Sequence, residues 1–306
     1  HLDGGLRPQT VLDLAGEIGH ELPATTPEAL ADWFFEAADS GSLERYLETF
    51  DHTIAVMQTA EHLRRVACEF VEDQAADGVI YAEARWAPQQ HRRAGLTMAQ
   101  AVEAVRDGLA EGMAICAGRG QAITAQQIVT SMRHLPPTLD VAELAVAYRR
   151  DSVCGFDIAG AEDGFPPSRF DEAFAYLRHH NVEYTIHAGE AFGVASIWEA
   201  LQLCGASRLG HGVRLVDDLT RGPNGWELGE VARYVRDRRI PLELCPSSNL
   251  QTGVCGSVAE HPFGLLADLR FRVTVNCDNR LMSRTTLSRE LLLLAEAFDY
   301  DVPDLR

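Results

Sequence analysis

The chain has 306 residues, of which 46% are hydrophobic and 24% are charged, and its formal net charge at pH 7 is −18. This composition excludes a disordered chain, and the length suits a single (β/α)8 barrel. The negative charge would repel the phosphates of nucleic acid, so we expect a small neutral or cationic ligand and no nucleic-acid partner.

No apolar run reaches the roughly 20 residues that cross a bilayer, and the opening HLDGGLRPQT lacks the pattern of a signal peptide. The seven cysteines are scattered singly without a CxxC pair, which indicates reduced thiols that mostly fill the core. We therefore expect a soluble, cytoplasmic protein with no membrane partner.

All 27 basic residues are arginine, and the chain contains no lysine. Schiff-base chemistry, pyridoxal anchoring, P-loop phosphate binding and protein-kinase chemistry each need a lysine amine. A two-metal site bridged by a modified lysine needs one as well. The sequence therefore excludes all of these chemistries.

The chain opens on His1-Leu2-Asp3-Gly4, which reads as the end of a strand whose body is missing. A largely helical insert follows, from about Pro8 to Asp77. Its aromatic and apolar residues recur at helical spacing, which is typical of packing. The alternative is that part of the insert covers the mouth of the barrel and lines an aromatic pocket. The residues concerned are Trp33, Phe34, Phe35, Leu43, Tyr46, Leu47 and Phe50.

Beyond the insert, short β-branched runs alternate with amphipathic stretches, which predicts βαβ units and a parallel sheet. Seven strands are predicted, near Val79–Glu83, Ile123–Thr130, Val153–Ile158, Glu183–His187, Ser207–His211, Pro241–Cys245 and Arg272–Asn276. Helices between them include Ser196–Leu203, Trp226–Arg238 and Thr286–Ala297. We predict an α/β fold, a (β/α)8 TIM barrel with a helical insert after the first strand, as one domain over residues 1–306.

Nearly every predicted strand ends in groups that bind metal or move protons. Strand ends meet at one mouth of a barrel, where active sites of this fold are built. His1, His187, His211 and Asp278 all lie at such ends. Two or three imidazoles with one carboxylate suit a zinc ion with one position open for water. The sequence predicts one zinc ion per chain.

Other groups near these strand ends also suggest chemistry. Glu190 is either a surface carboxylate or a carboxyl group buried in a dry mouth, where it would hold a proton to give away. Asn279 beside Asp278 has an amide free to donate a hydrogen bond, and Gly160 would let backbone N–H approach a ligand. Cys277 is either a soft metal contact or a small packing residue. The remaining histidines are expected to face solvent or make ordinary hydrogen bonds. These are His20, His52, His62, His91, His134, His179, His180 and His261.

Other hydrolytic templates are missing, including HExxH, GxSxG and the HxE…PCxxC of cytidine-type deaminases. In their place stand HLDGG, GFDIAGAE, TIHAGE, LGHGVRL, LCPSSNLQTG and VNCDNRLMS, in this order over essentially the whole chain. This set resembles the adenosine deaminase family of metal-dependent amidohydrolases, with closest similarity to bacterial members. TIHAGE followed by LGHG and a later strand ending in Asp is the most specific part.

The resemblance implies a role for each matching residue. His1, His187 and Asp278 would hold the zinc. Glu190 would protonate the purine N1, and His211 would position or deprotonate the attacking water. The substrate-binding residues implied are Asp3 for a ribose hydroxyl, Gly160 for the purine N3 and Asn279 for N7. The implied reaction is deamination of adenosine to inosine in purine metabolism, with a small purine nucleoside as the partner.

Two features depart from the family pattern. A further ligand histidine is expected two residues before His1, and the family continues beyond residue 306, so we expect a chain truncated at both ends. Many relatives carry aspartate where this chain has Asn279. An asparagine amide donates a hydrogen bond at any pH, whereas an aspartate must be protonated to do so.

Three alternatives stay open on the sequence. The same chemistry could act on adenine or on an N6-substituted adenine nucleotide, although a carboxylate at Asp3 would repel a nearby 5′-phosphate. A catalytically silent binding relative would keep the barrel without the metal. A metal-dependent hydrolase of another amide or ester bond is the third.

Overall fold

A computed structural model describes residues 1–305 of the chain. Over this range the strands are β1 (Tyr81–Trp86), β2 (Thr124–Met132), β3 (Val153–Ala159), β4 (Thr185–Ala188), β5 (Arg208–His211), β6 (Leu219–Gly222), β7 (Gly225–Leu228), β8 (Leu242–Leu244) and β9 (Val273–Val275). The α-helices are α1 (Pro8–Ile18), α2 (Pro27–Ala38), α3 (Leu43–Glu48), α4 (Phe50–Val56), α5 (Ala60–Ala76), α6 (Met98–Gly118), α7 (Asp140–Tyr148), α8 (Asp171–His179), α9 (Val194–Gln202), α10 (Glu230–Asp237), α11 (Pro246–Gln251), α12 (Phe263–Asp268) and α13 (Leu287–Phe298). Short 3-10 helices lie at Pro88–Gln90, Pro167–Phe170, Val213–Asp218 and Val258–Glu260.

Seven parallel strands follow one another in space as they do along the chain. β1, β2 and β3 pair in that order, and β4, β5, β8 and β9 pair in that order. A parallel backbone bridge between Phe156 in β3 and Tyr184 before β4 joins the two sets. Each of the seven predicted strands overlaps one of these, so the prediction of the strands is confirmed. Their carboxyl ends all lie at one edge, which places the residues that follow them together.

The first four residues lie between the ends of the first and last of these strands. The Leu2 amide donates to the carbonyl of Arg85 in β1 (2.8 Å), and the Leu281 amide donates to the carbonyl of Gly4 (2.8 Å). The His1 amino group also contacts the Asp278 carbonyl. Residues 1–4 therefore have the position expected for the end of an eighth strand, and they bring His1 to the shared edge.

Helices α1–α5 form the predicted insert, and its longest helix packs closely on α6. A Cβ added at Gly108 would lie 2.2 Å from the Arg64 carbonyl oxygen, so only glycine permits this approach. The two alternatives for the insert, packing in the core and lining a pocket, each hold for some of its aromatic residues. Phe34 is fully buried in the core, whereas Tyr46 and Phe50 line the large cavity described below.

The hairpin of β6 and β7 was not predicted from the sequence. The predicted helix Trp226–Arg238 is wrong in its first turn, because Trp226 lies in β7 and α10 begins only at Glu230. β6 and β7 pair antiparallel, with Gly222 opposite Gly225 across a Pro-Asn turn. Proline at the first central position and asparagine at the second, followed by glycine, are typical turn residues, and this turn outweighed the helical periodicity here.

No helix within residues 1–305 combines the length and apolarity that a membrane span needs.

Candidate active site

One cavity of about 730 Å³ opens at the carboxyl edge of the strands. Aromatic and apolar side chains of the insert line one side of it, including Leu43, Tyr46, Leu47 and Phe50. All eight residues predicted for the site line it as well. They are His1, Asp3, Gly160, His187, Glu190, His211, Asp278 and Asn279. The fold thus brings together groups that lie up to 278 residues apart along the chain.

Three imidazoles and one carboxylate meet in this cavity. His1 Nδ1 lies 2.9 Å from Asp278 Oδ1, and His211 Nε2 lies 4.0 Å from Asp278 Oδ2. The ring of His187 is 5.2 Å from the ring of His1 and 5.4 Å from that of His211, between centroids. The cluster combines nitrogen and oxygen donors, which suits a divalent transition metal.

Buried partners hold two members of this cluster in place. Ser248 Oγ donates to Asp278 Oδ2 (2.6 Å), and His187 Nδ1 lies 2.8 Å from Asp157 Oδ2 in β3. Burial lowers the pKa of His187 to about 4, so its imidazole is neutral and able to bind metal. The pKa of Asp157 is about 2: burial opposes this, but His187 and Arg85 favour its charged form. A carboxylate behind a histidine is the usual support of a metal ligand.

The pKa of Asp278 is lowered despite its burial, because the hydrogen bond and charge of His1 favour the carboxylate. Its backbone φ is +54°, and that of His211 is +59°. Left-handed backbone is uncommon for residues other than glycine and clusters at functional sites. Two of the predicted catalytic residues therefore have an unfavourable backbone conformation that the surrounding structure must stabilise.

Among residues 1–305, one trio of His, Cys, Asp or Glu has all its potential ligand atoms within 4.8 Å of one another. It consists of His211, Cys245 and Asp278. Cys245 was not singled out from the sequence, although it also directly follows a strand end. Its thiol donates to the Glu243 carbonyl (3.4 Å), and burial holds its pKa well above the usual value. Cys277 also has a raised pKa, about 12, through burial. Neither thiol lines the cavity, whereas His1, His187, His211 and Asp278 all do, so the imidazole and carboxylate set fits a metal there better.

Glu190 lies beside this cluster, with Oε2 3.5 Å from His211 Nε2. Its side chain is buried, and burial raises its pKa well above the usual value, with the negative charges of Asp278 and Glu162 acting in the same direction. A carboxyl group that keeps its proton at neutral pH is suited to general acid catalysis.

Glu162 holds the loop that carries Glu190, and sequence reasoning missed it. Its Oε1 accepts the amide of Gly189 (2.6 Å), and its Oε2 accepts the amides of Glu190 (3.1 Å), Ala191 (2.9 Å) and Phe192 (2.8 Å). Arg133, which is fully buried, donates to the carbonyls of His187 and of Phe165. The buried carboxylate of Glu162 therefore binds the backbone amides of this loop, and the buried guanidinium of Arg133 binds the carbonyl of His187 where the loop begins.

Glu162→Gln is expected to loosen this loop. The amide keeps one oxygen but turns an NH2 group toward backbone N–H donors, so the free energy of unfolding should fall by about 1 to 3 kcal/mol. Because Glu190 then loses its fixed position, kcat should fall about 10- to 100-fold. Thermal unfolding and steady-state kinetics measure both, with Glu227→Gln on the exposed hairpin as control. An unchanged kcat in the Glu162→Gln variant would contradict the positioning role.

The predicted substrate-binding residues also line the cavity, each with a distinct environment. Asp3 is buried, and burial raises its pKa. Gly160 has a φ of +104°, and an added Cβ would lie 3.3 Å from Met132, so glycine brings backbone close to the cavity there. Asn279 donates from Nδ2 to the Tyr46 hydroxyl (2.9 Å) and has Oδ1 3.1 Å from His1 Nδ1.

The sequence pattern of the family described as Adenosine deaminase matches residues 1–306. The chain belongs to the adenosine deaminase family. An adenosine deaminase from Mycobacteroides abscessus is 59% identical over 308 aligned positions, which cover 100% of this chain and 85% of that protein.

Solved structures of this family confirm the barrel prediction. An adenine deaminase from Arthrobacter aurescens superposes with a TM-score of 0.84 at 25% identity, over 100% of this chain and 88% of the other. An amidohydrolase from Burkholderia ambifaria, solved with bound Zn, superposes with a TM-score of 0.82 at 25% identity, over 100% of this chain and 80% of the other. This adenosine deaminase family member therefore has the amidohydrolase TIM-barrel fold.

Proposed function

We propose that this member of the adenosine deaminase family hydrolyses adenosine to inosine and ammonia, and 2′-deoxyadenosine likewise, with one zinc ion per chain. The observation that carries the proposal is the pairing of two features in one cavity. A buried carboxyl group with a raised pKa, Glu190, lies directly beside a cluster of imidazoles and a carboxylate. Relatives that are 58% and 59% identical over the full length of this chain are named as adenosine deaminases.

His1, His187 and Asp278 would hold the zinc. Their donors are nitrogen and oxygen, and Asp157 behind His187 supports a neutral ligand imidazole. The Burkholderia relative was solved with bound Zn. When bound, zinc acts as a Lewis acid and lowers the pKa of a water so that its conjugate base is available near neutral pH.

The protein's own residues complete the chemistry. Glu190 gives its proton to the purine N1, which draws electrons from C6 and makes that carbon electrophilic. The oxygen of water adds at C6. The proton that this water loses passes to the Asp278 carboxylate and from there to the amino nitrogen, while His211 stabilises the charge that develops on the added oxygen. The C6–N bond then breaks, and the hydroxyl proton on C6 returns to the Glu190 carboxylate. Ammonia then leaves, and the purine becomes the 6-oxo product.

Substrate recognition rests on other residues that line the same cavity. Asp3 would bind a ribose hydroxyl, the backbone at Gly160 would donate to the purine N3, and the amide of Asn279 would donate to N7. In the structure that amide donates to the Tyr46 hydroxyl, so N7 would accept its second N–H or replace the tyrosine oxygen as acceptor. The carboxylate at Asp3 favours nucleosides over nucleotides, because a 5′-phosphate nearby would be repelled.

A substrate comparison tests the proposal. Product formation is measured with adenosine, 2′-deoxyadenosine, adenine and AMP at equal concentrations of metal-loaded protein. We expect adenosine to be deaminated at least about 100-fold faster than adenine or AMP, because the ribose contact and the charge of Asp3 act together. Faster turnover of adenine or AMP would contradict the choice of substrate. No turnover of any of them would contradict catalysis itself and favour a silent binding relative.

We also propose that residues 1–306 act as one barrel domain, since the cavity takes residues from His1 to Asn279. The free state of all seven cysteines supports a reducing compartment, the cytoplasm.

A further inference from the structure

A chain of buried hydrogen bonds leads away from the site behind His211. Asn249 in α11 donates from Nδ2 to His211 Nδ1 (3.2 Å), and its Oδ1 lies 3.1 Å from His261 Nε2. The amide of Phe263 then donates to His261 Nδ1 (3.0 Å). All four residues are buried, with Asn249 fully so. None of these links past His211 was expected from the sequence, where His261 was assigned an ordinary role.

The amide of Phe263 determines the direction of the whole chain. A backbone N–H is a donor only, so His261 must accept at Nδ1. A neutral imidazole has one proton, which for His261 must then be on Nε2. His261 Nε2 therefore donates, and the atom of Asn249 that faces it must be the oxygen.

The opposite orientation of Asn249 fails on proton count. It would point the amide NH2 at His261 Nε2, so both ring nitrogens of His261 would have to accept. Only an imidazolate could do so. A doubly protonated His261 fails as well, since Nδ1–H would face the Phe263 N–H. The low pKa of His261, about 4 through burial and the nearby His211, agrees with the neutral ring.

The same reasoning reaches His211. Because the NH2 group of Asn249 points at His211 Nδ1, that nitrogen accepts and carries no proton. The single proton of the ring is therefore on Nε2. This nitrogen faces the cavity, 3.5 Å from Glu190 Oε2 and 4.0 Å from Asp278 Oδ2.

We propose that His261 and Asn249 are positioning residues that hold His211 with its proton on Nε2, so that His211 donates a hydrogen bond into the site and does not bind the metal. The inference deepens the proposed function and rests on it for the catalytic consequence. It decides between the two roles that the sequence left open for His211: the residue positions the water and does not deprotonate it. It also excludes the trio with Cys245 as the metal set, because a protonated nitrogen cannot coordinate.

Nitrogen-15 NMR of the full chain, metal-loaded and labelled at its histidine ring nitrogens, measures the proton positions directly. The signals are assigned by their loss in His211→Gln and His261→Gln. We expect both residues to carry a single proton, on Nε2, near neutral pH. In protein loaded with ¹¹³Cd, we expect couplings from the metal to His187 and none to His211. A proton on His211 Nδ1, or a coupling from cadmium to His211, would overturn the proposal.

Asn249→Asp tests whether the amide of Asn249 fixes the position of the proton on His211. A carboxylate accepts from both neighbours, so the single proton of the His211 ring should move to Nδ1 and leave Nε2 without one. We expect kcat to fall about 100-fold, the usual cost of one lost donor to a developing charge, while KM changes less than about threefold. Asn224→Asp, at the exposed hairpin turn, adds the same charge and should keep the wild-type kcat. Unchanged proton positions on His211 in the Asn249→Asp variant would overturn the proposal.

The outcomes separate this inference from the proposed function. If Asn249→Asp does not fold, the wild-type spectra alone decide. Should wild-type protein show the Nε2 proton but no deamination, the positioning chain stands and the proposed function fails. Should wild-type protein deaminate adenosine but carry the His211 proton on Nδ1, the proposed function stands and the positioning role of Asn249 and His261 fails.

Discussion

Glu190→Gln is expected to lower kcat for adenosine by about 10³-fold, within the range that general acid catalysis supplies. Glutamine has the shape of the acid but no transferable proton, so N1 cannot be protonated and C6 stays a poor electrophile. In wild-type protein the raised pKa of Glu190 keeps the donor protonated, and turnover should decline as the pH rises through that pKa. The variant should lack this decline. Steady-state rates against pH measure both effects.

The stability of this variant separates lost chemistry from lost structure. A buried carboxyl group with a raised pKa contributes stability at low pH that is lost as the pH rises through the folded-state value. At neutral pH folding must place a proton on Glu190, whereas glutamine needs none, so the unfolding temperature of the variant should be equal to wild type or higher. Metal content should stay at the wild-type level. Glu227→Gln serves as the exposed control, and equal kcat values for wild type and Glu190→Gln would remove the proton donor from the mechanism.

The residues that the sequence identified share one property: each lies at the end of an apolar strand or just after it. His187, His211 and Asp278 could be placed at one mouth because parallel strands end at a common edge, whatever the details of the loops. The (β/α)8 barrel followed from the same alternation of strands and helices, and the family comparison confirms it.

Two of the residues that the sequence missed act through backbone groups. Glu162 accepts four amides of the loop after β4, and His261 accepts one amide at the start of α12. No residue spacing reports such contacts, because each depends on how a loop folds back onto a helix or strand. Position 162 stood in the GFDIAGAE motif two residues beyond Gly160, and that nearness was the one available signal. For His261 the sequence carries none.

Asp278→Asn is expected to remove most of the bound metal and to lower kcat/KM for adenosine by about 10³-fold, because metal-ion catalysis supplies several kcal/mol and each tenfold in rate is about 1.4 kcal/mol. Asparagine disturbs the local structure at this position very little. Asparagine tolerates the left-handed φ of +54° at this residue, and its oxygen still accepts from Ser248. Strain and a lost hydrogen bond therefore add little, and the missing charge dominates.

Elemental analysis of purified protein and titration of metal into stripped protein measure the first effect, and steady-state kinetics measure the second. Asp217→Asn is the control, since this exposed carboxylate pairs with Arg214 beside it on the surface. Adding excess zinc should restore part of the activity of the Asp278→Asn variant, because His1 and His187 still offer nitrogen donors. The two effects must move together: a variant that keeps full metal content yet loses turnover would show that Asp278 acts on the water alone, and one that keeps both would place the metal elsewhere in the cavity.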